Sequence, residues 1–288
     1  MSPRLRPLAG ADVEAWVGFW SPRAKDHEAR VARVRERLAT DETLPQRAWA
    51  AWDENQVVAG LRASPSNPTR WWGEVRRADG HDDALVALHE PWRASLRALG
   101  ALPVEARFDM AANPPRAALR AAGWERESER VEYRTPIEHL PGEVGPFRWT
   151  SHEALDAGAL AALVERGGQG PNWSHDDTGA SVVRTMLEHP QPTTLEVGWL
   201  DGEAAAFVAA CHDPRDGWST LAFLGLVPEH RGKGLGAAIH RHGFAMLRAA
   251  GATLYHGGTS VENVAMQRLF ERHVGEPFRR LEDWVLRP

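Results

Sequence analysis

The chain has 288 residues, 43% of them hydrophobic and 25% charged, a composition typical of globular proteins. A formal net charge of −5 and a sequence pI of about 6.2 argue against a nucleic-acid binder, which usually presents a basic field. Cys211 is the single cysteine, so an internal disulfide, a cysteine-built zinc site and a cysteine redox pair are all excluded.

Met1 to Pro7 lacks the apolar stretch of a signal peptide, and no run reaches the 18 or so apolar residues of a membrane span. The expectation is a cytoplasmic protein that meets neither membrane nor nucleic acid. Its length suits one large domain or two of about 150 residues.

In chain order, the first clear signal is a hairpin: Trp49 to Asp53, a polar turn, then Gln56 to Gly60. Val197 to Val208 repeats that pattern. Leu96 to Ala101 (Leu-Arg-Ala-Leu-Gly-Ala) matches Leu247 to Ala252 (Leu-Arg-Ala-Ala-Gly-Ala) at an offset of 151, and Asn113 to Gly123 matches Asn263 to Gly275 with a small gap. Both halves end on a charged, aromatic strand, Arg130 to Tyr133 and Leu281 to Trp284. The order in each half is strand, helices, hairpin, longer strand, helix, strand, helix, strand. A duplicated unit is expected. Pro136, Pro141, Gly142, Gly145 and Pro146 place a linker at 139–146, between domains at 1–138 and 147–288.

In the second half, Trp218 to Val227 is a mostly apolar run suited to a buried strand. Pro228-Glu229-His230 breaks it, and Arg231-Gly232-Lys233-Gly234-Leu235-Gly236 opens a helix running from Ala237 to Ala250. The first N–H groups of a helix have no intrahelical partner, and the helix dipole adds positive character there. Glycines admit positive φ and close approach of an anion, while Arg231 and Lys233 add charge. A pyrophosphate fits; on this physics free phosphate, a nucleotide and coenzyme A all remain open. The P-loop would need Ser or Thr after Lys233, and the dinucleotide fingerprint a different glycine spacing.

Val227-Pro228-x-x-Arg231-Gly-x-Gly234-Leu-Gly236 resembles the signature of the GNAT (Gcn5-related N-acetyltransferase) superfamily, Gln/Arg-x-x-Gly-x-Gly/Ala after a hydrophobic strand. Asn263, beginning the next helix, resembles the second CoA-contacting segment of that superfamily. The resemblance covers about residues 147–288. It implies an α/β (α+β) chain of two tandem GNAT folds, each a mixed, mostly antiparallel sheet flanked by helices, an architecture similar to tandem members such as mycothiol synthase. It implies acetyl-CoA as co-substrate, without a metal. Leu226 and Val227 would face the pantetheine arm, and the amides of Arg231 to Gly236 (Arg231, Gly232, Lys233, Gly234, Leu235, Gly236) would bind the pyrophosphate, with Asn263 nearby. The strand would splay from the one at Thr253 to His256, leaving a slot for the thioester. In the first half, offset 151 turns the loop into Gly80-His81-Asp82-Asp83-Ala84-Leu85. Two aspartates there repel a phosphate, so that half is expected to keep the fold and lose the ligand.

The implied reaction is direct acetyl transfer to a primary amine of a small molecule. Many members use a strand Glu as base and a Tyr in the last helix as acid; here those positions hold Thr220 and Phe270. His256, beside the expected slot, and Glu196, on the first hairpin strand, are the substitute candidates. The loop from Gly167 to Asp177 offers Trp173, Asp176 and Asp177 to an amine. Two alternatives stay open: an acyl-CoA-sensing module without turnover, and an acetyltransferase acting on a protein or peptide amine. A monomer or homodimer is expected.

Overall fold

The computed structural model describes residues 3–22, 24–67, 70–142, 145–170, 173, 177–188, 191, 193–214 and 218–288. The first half runs β1 (Arg4–Pro7), α1 (Val13–Trp20), α2 (His27–Thr40), α3 (Leu44–Arg47), β2 (Ala48–Asp53), β3 (Gln56–Asn67), β4 (Arg70–Arg77), α4 (Asp82–Ala98), β5 (Val104–Asp109), α5 (Arg116–Ala121) and β6 (Trp124–Pro136). The second runs β7 (Arg148–Ser151), α6 (Ala157–Gly168), α7 (Gly179–Leu187), β8 (Thr193–Leu200), β9 (Glu203–Asp213), β10 (Trp218–Leu226), α8 (Gly236–Ala249), β11 (Leu254–Ser260), α9 (Val264–His273) and β12 (Arg279–Leu286). The expected order of elements is present twice, and the sheets are mostly antiparallel with helices against them. Among the described residues no helix is long and apolar enough to cross a membrane.

The matched glycines do the same local work in both halves. Gly100 and Gly251 follow α4 and α8 with φ of 64° and 85°, and Gly123 and Gly275 follow α5 and α9 with φ of 83° and 111°. These are left-handed positions just past helix ends, where glycine carries no Cβ penalty. The hairpin turns correspond as well: Glu54 has φ 50°, and Asp201-Gly202 has φ 53° and 89°.

The chain divides into two compact units, Met1–Ser128 with Leu281–Pro288, and Glu129–Arg280. In the first, the strand order is β1-β2-β3-β4-β5-β12, with Leu281 to Leu286 of β12 antiparallel to β5. Its cores centre on Trp92 and Trp284, both fully buried, and on Trp16 and Trp52. In the second, β10-β9-β8-β7 form one antiparallel sheet, and β11 pairs with Arg130 to Pro136 of β6. Each unit is thus completed by the last strand of the other half of the sequence.

The expected linker at 139–146 lies inside the second unit. Ile137 and Phe147 on its flanks and Leu140 within it are buried in that unit's core. Arg248 of α8 donates to the carbonyls of Ile137, Leu140 and Pro141, so the proline- and glycine-rich stretch is held at its start. No tryptophan is among the exposed large hydrophobic residues described, which are Leu187, Val264 and Phe278.

Candidate active site

β9 is buried along nearly its whole length because it is the strand between β8 and β10, with helices on both faces. β10 therefore has one edge on β9 and the other directed toward β11. The register of β10 on β9 slips between Leu221 and Phe223, a bulge that turns the strand locally. β10 and β11 belong to different sheets and share no ladder. A cleft of about 450 Å³ opens where they part, lined by Leu221 to Leu226 on one wall and by Tyr255 and Gly258 on the other. Gly167 to Gly170 at the end of α6 and Asn263 to Phe270 of α9 contribute further lining. The splay expected beside Thr253 to His256 is present.

The glycine loop begins at one mouth of this cleft, where Arg231 belongs to the lining. After Val227 a single 3-10 turn, Pro228–His230, leads to Arg231. Gly232 and Gly234 have φ of 75° and 79°, and nothing lies within 4 Å of a Cβ built on either. Their requirement is one of backbone conformation, not of space. α8 begins at Gly236 with no side chain capping its N-terminus, and its Ala237 and Ala238 amides donate to the Gly234 and Leu235 carbonyls at 3.3 and 3.0 Å. Lys233 is exposed on the loop.

Arg231 has a different place from the one its charge suggests. Its Nε donates to the Leu226 carbonyl at 2.9 Å, and its terminal nitrogen donates to the carbonyls of Gly167 at 3.0 Å and Arg166 at 3.3 Å. The guanidinium ties the end of β10 to the end of α6. It still carries its charge to the mouth, but it acts as a clamp on the walls. The Leu226 carbonyl is accordingly occupied, and the Val227 amide donates to Ala205. Asn263 lines the cleft and caps α9, its side chain accepting from the Met266 amide at 3.2 Å.

The two residues singled out as bases are not in the cleft. Alternation along β11 puts Tyr255 and Gly257 on one face and His256 and Gly258 on the other. His256 sits opposite Arg134 in the ladder and does not line the cleft, although it shares a face with Gly258, which does. Burial, with Arg134 nearby, lowers its pKa and keeps the imidazole neutral. Glu196 lies under α8, where it accepts from His242 Nε2 at 2.8 Å; the His242 ring stacks on Trp149 at 4.0 Å. It faces away from the cleft because its strand position pairs with Val208, the residue that packs against Gly243 of α8. His240, two residues from His242, points elsewhere and meets His273 at 3.2 Å.

Of the expected acceptor loop, Asp176 lies outside the described residues. Trp173 packs against Gly168 and edge-on to Phe223 at 6.1 Å, so it backs the cleft wall. Thr178 caps α7, in a capping box with Ser181. Thr220 pairs with Cys211 in the β10–β9 ladder and does not line the cleft. The described cleft-lining residues include no carboxylate and no imidazole.

Sequence reasoning missed Tyr255 and the glycine pair beside it. Tyr255 is 1% exposed, and burial pushes its pKa well above the ordinary phenol value. A Cβ on Gly257 would overlap the Tyr255 hydroxyl and lie 2.6 Å from Phe270 Cε1. Two adjacent glycines inside a strand were the available signal, since they mark close approach by another group.

At the corresponding place in the first unit the geometry is closed. β4 and β5 are joined by a parallel ladder at Trp71–Val104 and Trp72–Glu105. The loop after β4 leads to a helix whose first turn carries Asp82 and Asp83, and Asp82 pairs with Arg77.

Residues 161–275 match the family described as Acetyltransferase (GNAT) family. No sequence among the curated proteins matches the chain. Solved structures match over nearly its whole length. A GCN5-related N-acetyltransferase from Sphaerobacter thermophilus is 17% identical, with a TM-score of 0.64 and coverage of 99% of this chain and 96% of that one. A tandem GNAT protein from the clavulanic acid biosynthesis pathway is 15% identical, with a TM-score of 0.57 and coverage of 99% and 98%. A GCN5-related N-acetyltransferase from Kribbella flavida is 19% identical, with a TM-score of 0.55 and coverage of 88% and 94%. Residues 161–275, within the second unit, are therefore similar to the GNAT family, and over its length the chain has the fold of these GCN5-related N-acetyltransferase structures.

Proposed function

We propose that the second unit transfers an acetyl group from acetyl-CoA directly to a primary amine of a small molecule. The observation that carries this reading is the unpaired wedge between β10 and β11, with a left-handed glycine loop and an uncapped helix N-terminus at its mouth. The wedge suits a narrow acyl-pantetheine arm, and the mouth suits its pyrophosphate. Gly232 and Gly234 would turn amides toward phosphate oxygens, with Lys233 and the helix dipole adding positive potential. Leu226 and Val227 would flank the arm at the strand end, with Leu235, Gly236 and Asn263 closing the mouth.

The amine would enter on the face of Gly258 and His256, past the wall backed by Trp173, with Asp177 close by in sequence. His256, held neutral, is the candidate to take the amine proton; Glu196, bonded to His242 under α8, has no part in this mechanism. The chemistry would draw mainly on positioning and exclusion of water. The first unit, closed between β4 and β5 and acidic at its loop, is read as keeping the fold without the ligand.

A second reading has one observation in its favour: a cleft without carboxylate or imidazole suits an acyl-CoA sensor that does not turn over. The test follows free thiol while the protein is incubated with acetyl-CoA and a panel of amino acids, polyamines, amino sugars and peptide N-termini. Thiol release with a small amine, abolished by Gly234→Val, supports the enzyme. Release only with peptides moves the acceptor to the protein class. Acetyl-CoA binding by calorimetry without release supports the sensor, and no binding refutes both.

A further inference from the structure

Arg130 lies on β6, where its ladder partner on β11 is Ser260. Its side chain leans along the strands toward Gly258, and a terminal nitrogen comes to 3.9 Å from a Cβ built there. That reach brings Arg130 into the cleft lining beside Gly258. The same Cβ would lie 3.2 Å from Glu132 Cγ and 3.3 Å from the Val131 carbonyl oxygen, so the spot is crowded even before a longer side chain is considered. Glycine at 258 leaves the guanidinium its access to the cleft.

Alternation puts Arg130, Glu132 and Arg134 of β6 on the face of Gly258 and His256. Glu132 accepts from Arg279 at 2.6 Å, and Glu129 accepts from Arg280 at 3.4 Å, so the carboxylates nearest Arg130 in sequence are engaged with other arginines. Arg130 and Arg231 are the only charged residues among the described lining. Arg231 is bonded to three carbonyls at the end of β10. Arg130 stands on the face from which the amine would enter.

We propose that Arg130 selects the acceptor by binding a carboxylate, so that the small-molecule amine is an amino acid or a related acidic amine; this rests on the acyl-transfer reading above. The described lining has no carboxylate with which to hold an ammonium, and the amine must be neutral to attack in any case. An anion elsewhere on the same molecule is then the handle. A guanidinium is planar, always charged, and pairs with a carboxylate through two parallel bonds, which fixes orientation as well as position. Held by its carboxylate beside Gly258, the molecule would turn its amine toward the splay between β10 and β11, where the thioester would lie. Arg130 is a positioning residue and exchanges no proton.

The experiment measures thiol release from acetyl-CoA with matched pairs of amino acids and their carboxamides, with the amine at the α, β or γ carbon. Wild type should use the acids, and Arg130→Gln should lower the acid-to-carboxamide ratio of kcat/KM about 10- to 100-fold, the scale of one or two charge-assisted bonds. Comparing the ratio between variant and wild type cancels differences in amine basicity. The loss should fall on KM for the acid, with KM for acetyl-CoA changed less than about threefold. Arg130→Lys keeps the charge without the fork and should retain part of the preference, a graded result that general damage to the fold would not give. Arg134→Gln, on the same face but outside the lining, should leave the ratio unchanged. Wild-type turnover with amines but not with acidic ones overturns the role of Arg130 and leaves acyl transfer standing. So does a ratio that survives Arg130→Gln, an equal loss in Arg134→Gln, or a defect confined to acetyl-CoA. Absence of turnover with every amine overturns this proposal together with the reading beneath it.

Discussion

Arg231 separates two ideas about the loop, and a charge-conserving substitution distinguishes them. If its contribution were only positive potential at the mouth, Arg231→Lys would be nearly silent. In the structure, the guanidinium holds Leu226, Gly167 and Arg166 carbonyls at 2.9, 3.0 and 3.3 Å, in two directions at once. A lysine ammonium on a flexible stem cannot reproduce that fork. Each such bond contributes about 0.5–1.5 kcal/mol net, and an exposed end reduces it, so we expect Arg231→Lys to cost about 1–3 kcal/mol. For a unit of this size that corresponds to a fall in Tm of about 2–4 °C per kcal/mol. The end of β10 should also loosen, weakening acetyl-CoA about tenfold for each 1.4 kcal/mol felt at the cleft. Thermal melts and calorimetry on wild type, Arg231→Lys and Arg231→Gln measure both. If Arg231→Lys keeps wild-type Tm and affinity while Arg231→Gln loses affinity, the clamp is refuted and the charge explanation stands.

Further outcomes are expected elsewhere in the second unit. Gly234→Ala places a Cβ at φ 79° in open space, so its cost is conformational, about 1–2 kcal/mol; acetyl-CoA titration should show a weakening of about 5- to 30-fold, and unchanged affinity would mean the left-handed turn is not used. His240 and His273 are buried neutral, with pKa values lowered by burial from 6.5 to about 3 and about 4. Because the folded values lie below the unfolded one, their contribution is full above about pH 6.5 and is lost as pH falls toward 4. Melts between pH 7 and 4.5 should show Tm falling with acid, and the fall should be shallower in His240→Phe; an identical slope in the variant would assign it to other groups. Glu196→Gln should keep kcat within about threefold of wild type, because its His242 partner lies under α8 and away from the cleft; a loss in the range of about 100-fold or more typical of a general base would return Glu196 to the mechanism.

The parts of this protein readable from the sequence are those encoded over a few neighbouring residues. Gly232 and Gly234 need left-handed φ, Pro228 ends a strand, and a helix must start where the glycines stop; each is a local steric demand, so the loop was legible from the chain alone. The duplication was legible for the same reason, since Gly100, Gly123, Gly251 and Gly275 mark the same left-handed helix exits in both halves. What lay beyond reach depends on partners distant in sequence. The proline- and glycine-rich stretch near 139–146 resembled a linker, but Arg248, more than a hundred residues away, holds its carbonyls. Local order also assigns each half its own last strand, whereas pairing gives Leu281 to Leu286 to β5 and Arg130 to Pro136 to β11. The facing of β11 was decided in the same way. A strand turns alternate residues to opposite faces, so one step of register separates the face of Tyr255, packed among Phe244 and Phe270, from the face of His256. Only the ladder with β6 and the packing of Tyr255 against Phe244 and Phe270 fix which of the two is inside.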